Sequence, residues 1–151
     1  MEEQYNIKSL NINDKILIKD LFVDVFTNEP WNDDWSNEDQ LDKYLEDIIG
    51  NKNSLSIGLF RNNELLGISL GSIIHWYSGT EYYIRELCIK RTQQHQGIGT
   101  IFIKLIEDYL HKNNISSIIL STDIGTPAYD FYTKNNFNEL PKSRFFHKNI
   151  K

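Results

Sequence analysis

Apolar and polar positions along the chain change period several times, and each change predicts an element. Gln4 to Ser9 alternates as a short strand. Asp14 to Phe26 then carries Leu17, Leu21 and Val25, flanked by Ile18, Phe22 and Phe26, at helical spacing. After the polar loop TNEPWNDDW, Ser36 is the expected N-cap, with Asp39 shortly after it, of a helix bearing Leu41, Tyr44, Leu45, Ile48 and Ile49 and ending at Gly50. Leu55 to Phe60 and Leu65 to Trp76 read as strands joined by the turn RNNE, and Tyr82 to Ile89 as another, rich in aromatic and branched residues. Ile98 to His111 gathers Ile98, Ile101, Phe102, Leu105, Ile106 and Tyr109 on one face of an amphipathic helix. Ile115 to Ser121 is a short apolar strand, and Pro127 to Lys134 a short helix with proline in its first turn. Phe137 to Leu140 and Ser143 to Ile150 are expected to close the chain as strands around Pro141. The predicted order is β-α-α-β-β-β-α-β-α-β-β, a mixed α/β domain on one main sheet, with residues 1–151 as a single domain.

Composition narrows the function classes. No apolar run approaches the ~20 residues that cross a bilayer, and the N-terminus MEEQYNIKSL lacks the basic-then-apolar order of a signal peptide. A lone cysteine, Cys88, excludes a disulfide framework. A cytoplasmic protein without membrane contact is the expectation. The net charge of −5 hides an asymmetry: residues 1–50 hold 13 acidic side chains against 4 lysines, a balance of −9, and the remainder is +4. That division suits a cationic ligand on one side and an anionic one on the other, or simply solvated helix surfaces. It gives no reason to expect nucleic acid as a partner. His75, His95, His111 and His147 are scattered without ligand spacing, so no metal is expected. Cys88 has no His or Asp beside it in sequence to activate a nucleophile and reads as packing.

The stretch QQHQGIGT places two glycines, Gly97 and Gly99, where the amphipathic helix begins. Free N–H groups at a helix start receive anions, and glycine lets an anion approach the backbone. A dinucleotide fingerprint fails because Phe102 stands at its third glycine, and no Gly-Lys-Ser or Gly-Lys-Thr makes a P-loop. What remains is Gln94-x-x-Gly97-x-Gly99 between the strand YYIRELCIK and the helix.

With that context the chain resembles the GNAT superfamily of acetyl-CoA-dependent N-acyltransferases, whose hallmark is [Arg or Gln]-x-x-Gly-x-[Gly or Ala]. TPAYDFYTKNNF resembles the family's later helix through Ala128, Phe131, Tyr132 and Phe137, with Asn136 where glycine is usual. The resemblance implies that Gln94, His95, Gln96, Gly97, Ile98, Gly99 and Thr100 form the loop holding the coenzyme A pyrophosphate. It implies splayed fourth and fifth strands, the pantetheine arm pairing with backbone of Leu87, Cys88 and Ile89, and the Cys88 N–H as oxyanion donor. Glu86 stands where many relatives carry a general base, and Tyr132 where they carry the tyrosine that serves the departing thiolate. Alternatives remain in sequence: Glu86 as an ion-pair partner of Arg85, Tyr132 as a core aromatic, and Lys90 and Arg91 as phosphate contacts or solvated loop residues.

Acceptor recognition is expected from NEPWNDDWSNED and HWYSGTEYY, segments that vary in this family. Trp31, Trp35, Trp76 and Tyr82, with Tyr77 and Tyr83, would form apolar or cation–π walls. Asp33 and Asp34, with Glu29 and Glu81, would attract an ammonium group. An EPW-like loop after the first helix is also similar to relatives of the aminoglycoside 6'-N-acetyltransferases. The expected activity is acetyl transfer from acetyl-CoA to a primary amine of a small cationic acceptor by direct attack. The alternatives are a protein or peptide acceptor and a non-catalytic acetyl-CoA-binding module. A homodimer pairing through RFFHKNIK is a further expectation.

Overall fold

In the computed structural model, which describes residues 4–150, the first alternating run forms β1 (Tyr5–Leu10). Asn11 ends it, its side chain accepting the Asn13 N–H at 2.8 Å while Asp14 accepts the Asn11 N–H at 2.9 Å. This reciprocal capping starts a short 3₁₀ turn that runs into α1 (Lys15–Phe26). Helix α2 (Glu38–Ile49) is capped by Asn37, which accepts from the Gln40 N–H at 3.1 Å. The expected cap at Ser36 is thus displaced by one residue, because the Ser36 N–H is already turned back onto Asp34 at 3.0 Å.

Strands β2 (Ser54–Arg61), β3 (Glu64–Trp76) and β4 (Gly79–Ile89) form an antiparallel meander. Asn62 and Asn63, both left-handed at φ 51° and 66°, make the two-residue turn of the first hairpin. Helix α3 (Ile98–Lys112) leads to β5 (Ser117–Ile119), which pairs parallel with β4. The sheet order is β1-β2-β3-β4-β5. One face packs on α1 and α2, where Ile18, Phe22, Leu41 and Leu45 meet Phe60, Ile68 and Leu70. The other packs on α3, where Phe102 and Ile106 meet Ile57, Leu59 and Leu66. Lys19 binds Glu38 and Asp42 of α2 at 2.6 and 2.9 Å, and Lys15 binds Glu46 at 2.7 Å. These exposed bridges add little stability.

The chain divides into two compact units, the first ending at Ser121 and the second beginning at Thr122. The second contains α4 (Pro127–Lys134), whose Thr126 side chain accepts the Tyr129 N–H at 3.2 Å. Asn136 is left-handed at φ 67°, the conformation for which glycine is usual. The two expected closing strands do not form: among the described residues, 137–150 carry no ladder. A strand exists only where its backbone pairs along a neighbouring strand, whereas the backbone bonds here are local turns, Phe137 N–H to the Tyr132 carbonyl and Ser143 N–H to the Leu140 carbonyl. Phe145 and Phe146 are left 80% and 97% exposed.

Candidate functional site

A bulge in β4 decides which side chains can work together. Leu70 pairs with Glu86 and Gly71 with Ile84, so Arg85 is an extra residue on β4. Strict alternation would put Tyr82, Ile84, Glu86 and Cys88 on one face. The bulge instead sends Tyr82 and Ile84 to the α3 face and leaves Cys88 in the core beneath α1 and α2. Gly71 permits the close approach beside the bulge, since a Cβ there would lie 2.1 Å from the Tyr83 carbonyl oxygen. Tyr82 therefore does not line an acceptor wall. It is wholly buried, and its hydroxyl is satisfied by Ser69 at 2.8 Å and the Leu55 carbonyl at 3.0 Å.

Glu86 faces α2, where the Tyr44 hydroxyl donates to its Oε1 at 2.5 Å. Tyr44 stacks on Trp35 at 5.1 Å and meets Phe22 at 6.1 Å. Burial pushes the Glu86 carboxyl above the usual range; the Tyr44 hydrogen bond opposes that, Asp33 adds to it, and Arg85 opposes it. Asp33 is held by its own N–H, which donates to the Phe26 carbonyl at 2.8 Å. Asp34 is exposed and held below the usual carboxylate range by hydrogen bonds from the Ser36 side chain and backbone. Trp31 packs on Phe26 at 5.8 Å and Trp35 on Phe22 at 5.6 Å, so these two rings anchor the loop to the core. Trp76 is elsewhere: it lies at the β3–β4 tip, opposite Gly79 and roughly 23 Å of strand from Glu86, against Tyr77. Tyr44 escaped the sequence reading as one more apolar-face residue. The missed signal is chemical, because a tyrosine on a buried face needs a partner for its hydroxyl.

Among the described residues, the edge of β4 away from β3 carries a strand partner over only part of its length. Strand β5 pairs only with Glu81, Tyr82 and Tyr83, so the two strands part from Ile84 onward. The Lys90 N–H donates to the Leu66 carbonyl at 2.7 Å. By strand alternation Cys88 and Glu86 also direct their backbone groups at β3, while Leu87 and Ile89 direct theirs at the opposite edge. This corrects the expectation for the Cys88 N–H, which is spent on the ladder. The Cys88 thiol is buried, and burial pushes its ionisation far up, as suits packing.

Beyond β4 the chain turns tightly into α3. Gln94 reaches back, its amide donating to the Ile89 carbonyl at 2.8 Å, and Gln96 donates to the Thr92 carbonyl at 3.3 Å. His95 and Gly97 are left-handed at φ 61° and 80°. The first helical bond runs from the Ile101 N–H to the Gly97 carbonyl. Among the described residues the N–H groups of Gly97, Ile98, Gly99 and Thr100 meet no acceptor. A Cβ at Gly97 would project into open space, while the Ile98 side chain is buried in the α3 core. Lys90 is paired with Glu64 at 2.8 Å and Arg91 with Asp24 at 3.4 Å, so the turn's attraction for an anion rests on backbone groups. In the second unit the Tyr132 ring packs between Phe131 and Phe137, at 5.4 and 5.2 Å.

Among solved structures, the chain is similar to a possible acetyltransferase from Clostridium difficile 630, with a TM-score of 0.81 at 14% identity over 99% of this chain and 100% of that one. It is similar to aminoglycoside acetyltransferase meta-AAC0020 from an uncultured soil metagenomic sample, in complex with sisomicin, with a TM-score of 0.72 at 19% identity over 97% of each chain. A third likeness is to aminoglycoside N-acetyltransferase AAC(6')-Iy in complex with CoA, with a TM-score of 0.73 at 14% identity over 99% of this chain and 98% of that one. At such identities these likenesses carry the fold alone. No curated protein matches the sequence. The sequence profile of the Acetyltransferase (GNAT) family matches residues 17–137, and the chain therefore belongs to this family of acetyl-CoA-dependent acetyltransferases.

Proposed function

We propose that this acetyltransferase acts on the primary amine of a small cationic acceptor, with Glu86 receiving the amine's proton. The observation that carries the reading is Glu86 itself: a half-buried carboxylate held on Tyr44, its pKa raised above the usual range by burial, with the negative Asp33 close by. A base is most effective when its pKa approaches the working pH. Acetyl-CoA would supply a thioester: the ammonium loses one proton through Glu86 to bulk, the freed nitrogen bonds to the thioester carbonyl carbon, and the carbon–sulfur bond breaks as the nitrogen's second proton passes to the departing thiolate.

The residues present suit coenzyme A. Four unpartnered N–H groups at the start of α3 match a pyrophosphate, and Gly97 leaves the approach open. The β4 edge at Leu87, with the Ile89 N–H, offers strand-like pairing to the pantetheine amides and an N–H for the oxyanion, while the Ile89 carbonyl is taken by Gln94. On the acceptor side, Asp33 and Asp34 are exposed carboxylates without an ion-pair partner among the described residues. They favour a cationic small molecule over an uncharged or acidic one. Two structural neighbours are aminoglycoside acetyltransferases, which makes amino sugars the first class to try. A thiol-release assay with acetyl-CoA against aminoglycosides, polyamines and basic peptides tests the reading. Turnover with a small polyamine or amino sugar is expected; turnover confined to peptides would move the protein to the alternative.

A further inference from the structure

We propose that Tyr44 is a positioning residue for the Glu86 carboxylate: its hydroxyl holds Oε1 and leaves Oε2 as the atom that takes the acceptor's proton. This rests on Glu86 being the base, as proposed above. Tyr44 comes from α2 and Glu86 from β4, elements that only the tertiary fold joins. The phenol is itself fixed, stacked on Trp35 with an interplanar angle of 19° and braced by Phe22. Its hydroxyl therefore enters from one direction, and a carboxylate that would otherwise turn among rotamers presents one oxygen to α2. Among the described residues Oε2 accepts no hydrogen bond.

Tyr44 is also a dependable donor. Burial first, and then the hydrogen bond to Glu86, drive the ionisation of the phenol far up, so it stays protonated at any pH at which the protein is assayed. The groups facing Glu86 are few. Tyr44 reaches it from α2, Asp33 from the loop after α1, and Arg85 from its own strand; Cys88, on the same face, stays a neutral thiol beside Asp24 of α1. Tyr44 and Arg85 favour the ionised carboxylate, whereas Asp33 and burial oppose it. Tyr44 and Asp33 thus pull in opposite directions, which gives the test a sign.

Carboxyl carbon-13 NMR titration of the free protein reads Glu86 directly, with Glu86→Gln identifying its resonance. Tyr44→Phe, which keeps the ring and its stacking, should move the Glu86 titration to higher pH, and Asp33→Asn should move it lower. With the best amine of the panel, Tyr44→Phe should lower kcat/KM on the acidic limb roughly ten- to a hundredfold, the loss expected for one hydrogen bond to a charged group. The alkaline plateau should change less, and KM for acetyl-CoA should hold. A Tyr44→Phe titration that coincides with wild type, whatever happens to Tm, overturns the proposal and leaves Tyr44 as packing. A shifted titration in a protein whose Glu86→Gln variant turns over like wild type removes the base, and the positioning role falls with it.

Discussion

The two halves of the first unit's candidate site are made of different material. On the anion side the working groups are backbone: N–H groups of Gly97 to Thr100 and the β4 edge. On the amine side they are side chains, Glu86, Tyr44 and Asp33, brought from a strand, a helix and a loop. A backbone site depends on local conformation, so it tolerates many side chains but few changes of glycine. A side-chain site depends on which face each residue occupies, so it is sensitive to register. The difference predicts that each half can be broken without the other.

The largest effect is expected at Glu86. Glu86→Gln should lower kcat about 100-fold or more, the usual range for loss of a general base, while acetyl-CoA still raises Tm as in the parent. The same variant tests the cost of burying the carboxylate. Its folded-state pKa lies above the ordinary 4.5, so folding favours the protonated form. Wild-type stability from this group is fullest below pH 4.5 and is lost as pH rises through the folded value. Glu86→Gln has no such titration, so its Tm should gain on wild type by a few degrees from acid to neutral pH. Parallel Tm curves would show that burial costs the carboxylate nothing.

Next in size is the reciprocal cut. Acetyl-CoA at 100 times its Kd should stabilise the parent by about 2.7 kcal/mol, roughly 5–10 °C in Tm. Gly99→Asp puts bulk and negative charge among the free N–H groups and should remove that rise, yet leave the Glu86 NMR titration in place. Retention of the thermal shift would separate the turn from coenzyme A.

A third cut tests the role that family resemblance assigns to Tyr132. Tyr132→Phe should lower kcat about tenfold with little change in acetyl-CoA affinity, because it deletes one hydroxyl and keeps a ring packed between Phe131 and Phe137. Unchanged turnover would leave Tyr132 as a packing aromatic.

The smallest effect belongs to the acidic loop. Asp33→Asn with Asp34→Asn should raise the amine KM a few-fold and flatten the salt dependence of kcat/KM, since exposed charges steer over a Debye length of roughly 8 Å. If KM for every accepted amine stays put, the two carboxylates are surface, and Glu81, which accepts from the Ser117 hydroxyl at 3.2 Å, is the next position to test.

Much of this molecule was legible in the order of its residues. The spacing Gln94, Gly97, Gly99 ahead of an amphipathic helix located the turn, because a left-handed residue and free N–H groups are local properties. The hairpin at Asn62 and Asn63 and the main helices followed from equally local patterns, to within a residue or two at their ends. Glu86 was singled out by its place in the sequence, but its surroundings were not legible there. Tertiary structure alone decided that one extra residue, Arg85, turns Tyr82 into the core and Glu86 toward α2. It also decided that Tyr44 meets Glu86, that Lys90 and Arg91 spend their charge on Glu64 and Asp24, and that, among the described residues, 137–150 carry no ladder. Local pattern is written within a few residues, where φ/ψ preference and side-chain period act. A bulge, a cross-element hydrogen bond and a strand's partner are settled between segments far apart in sequence, where no local preference reaches.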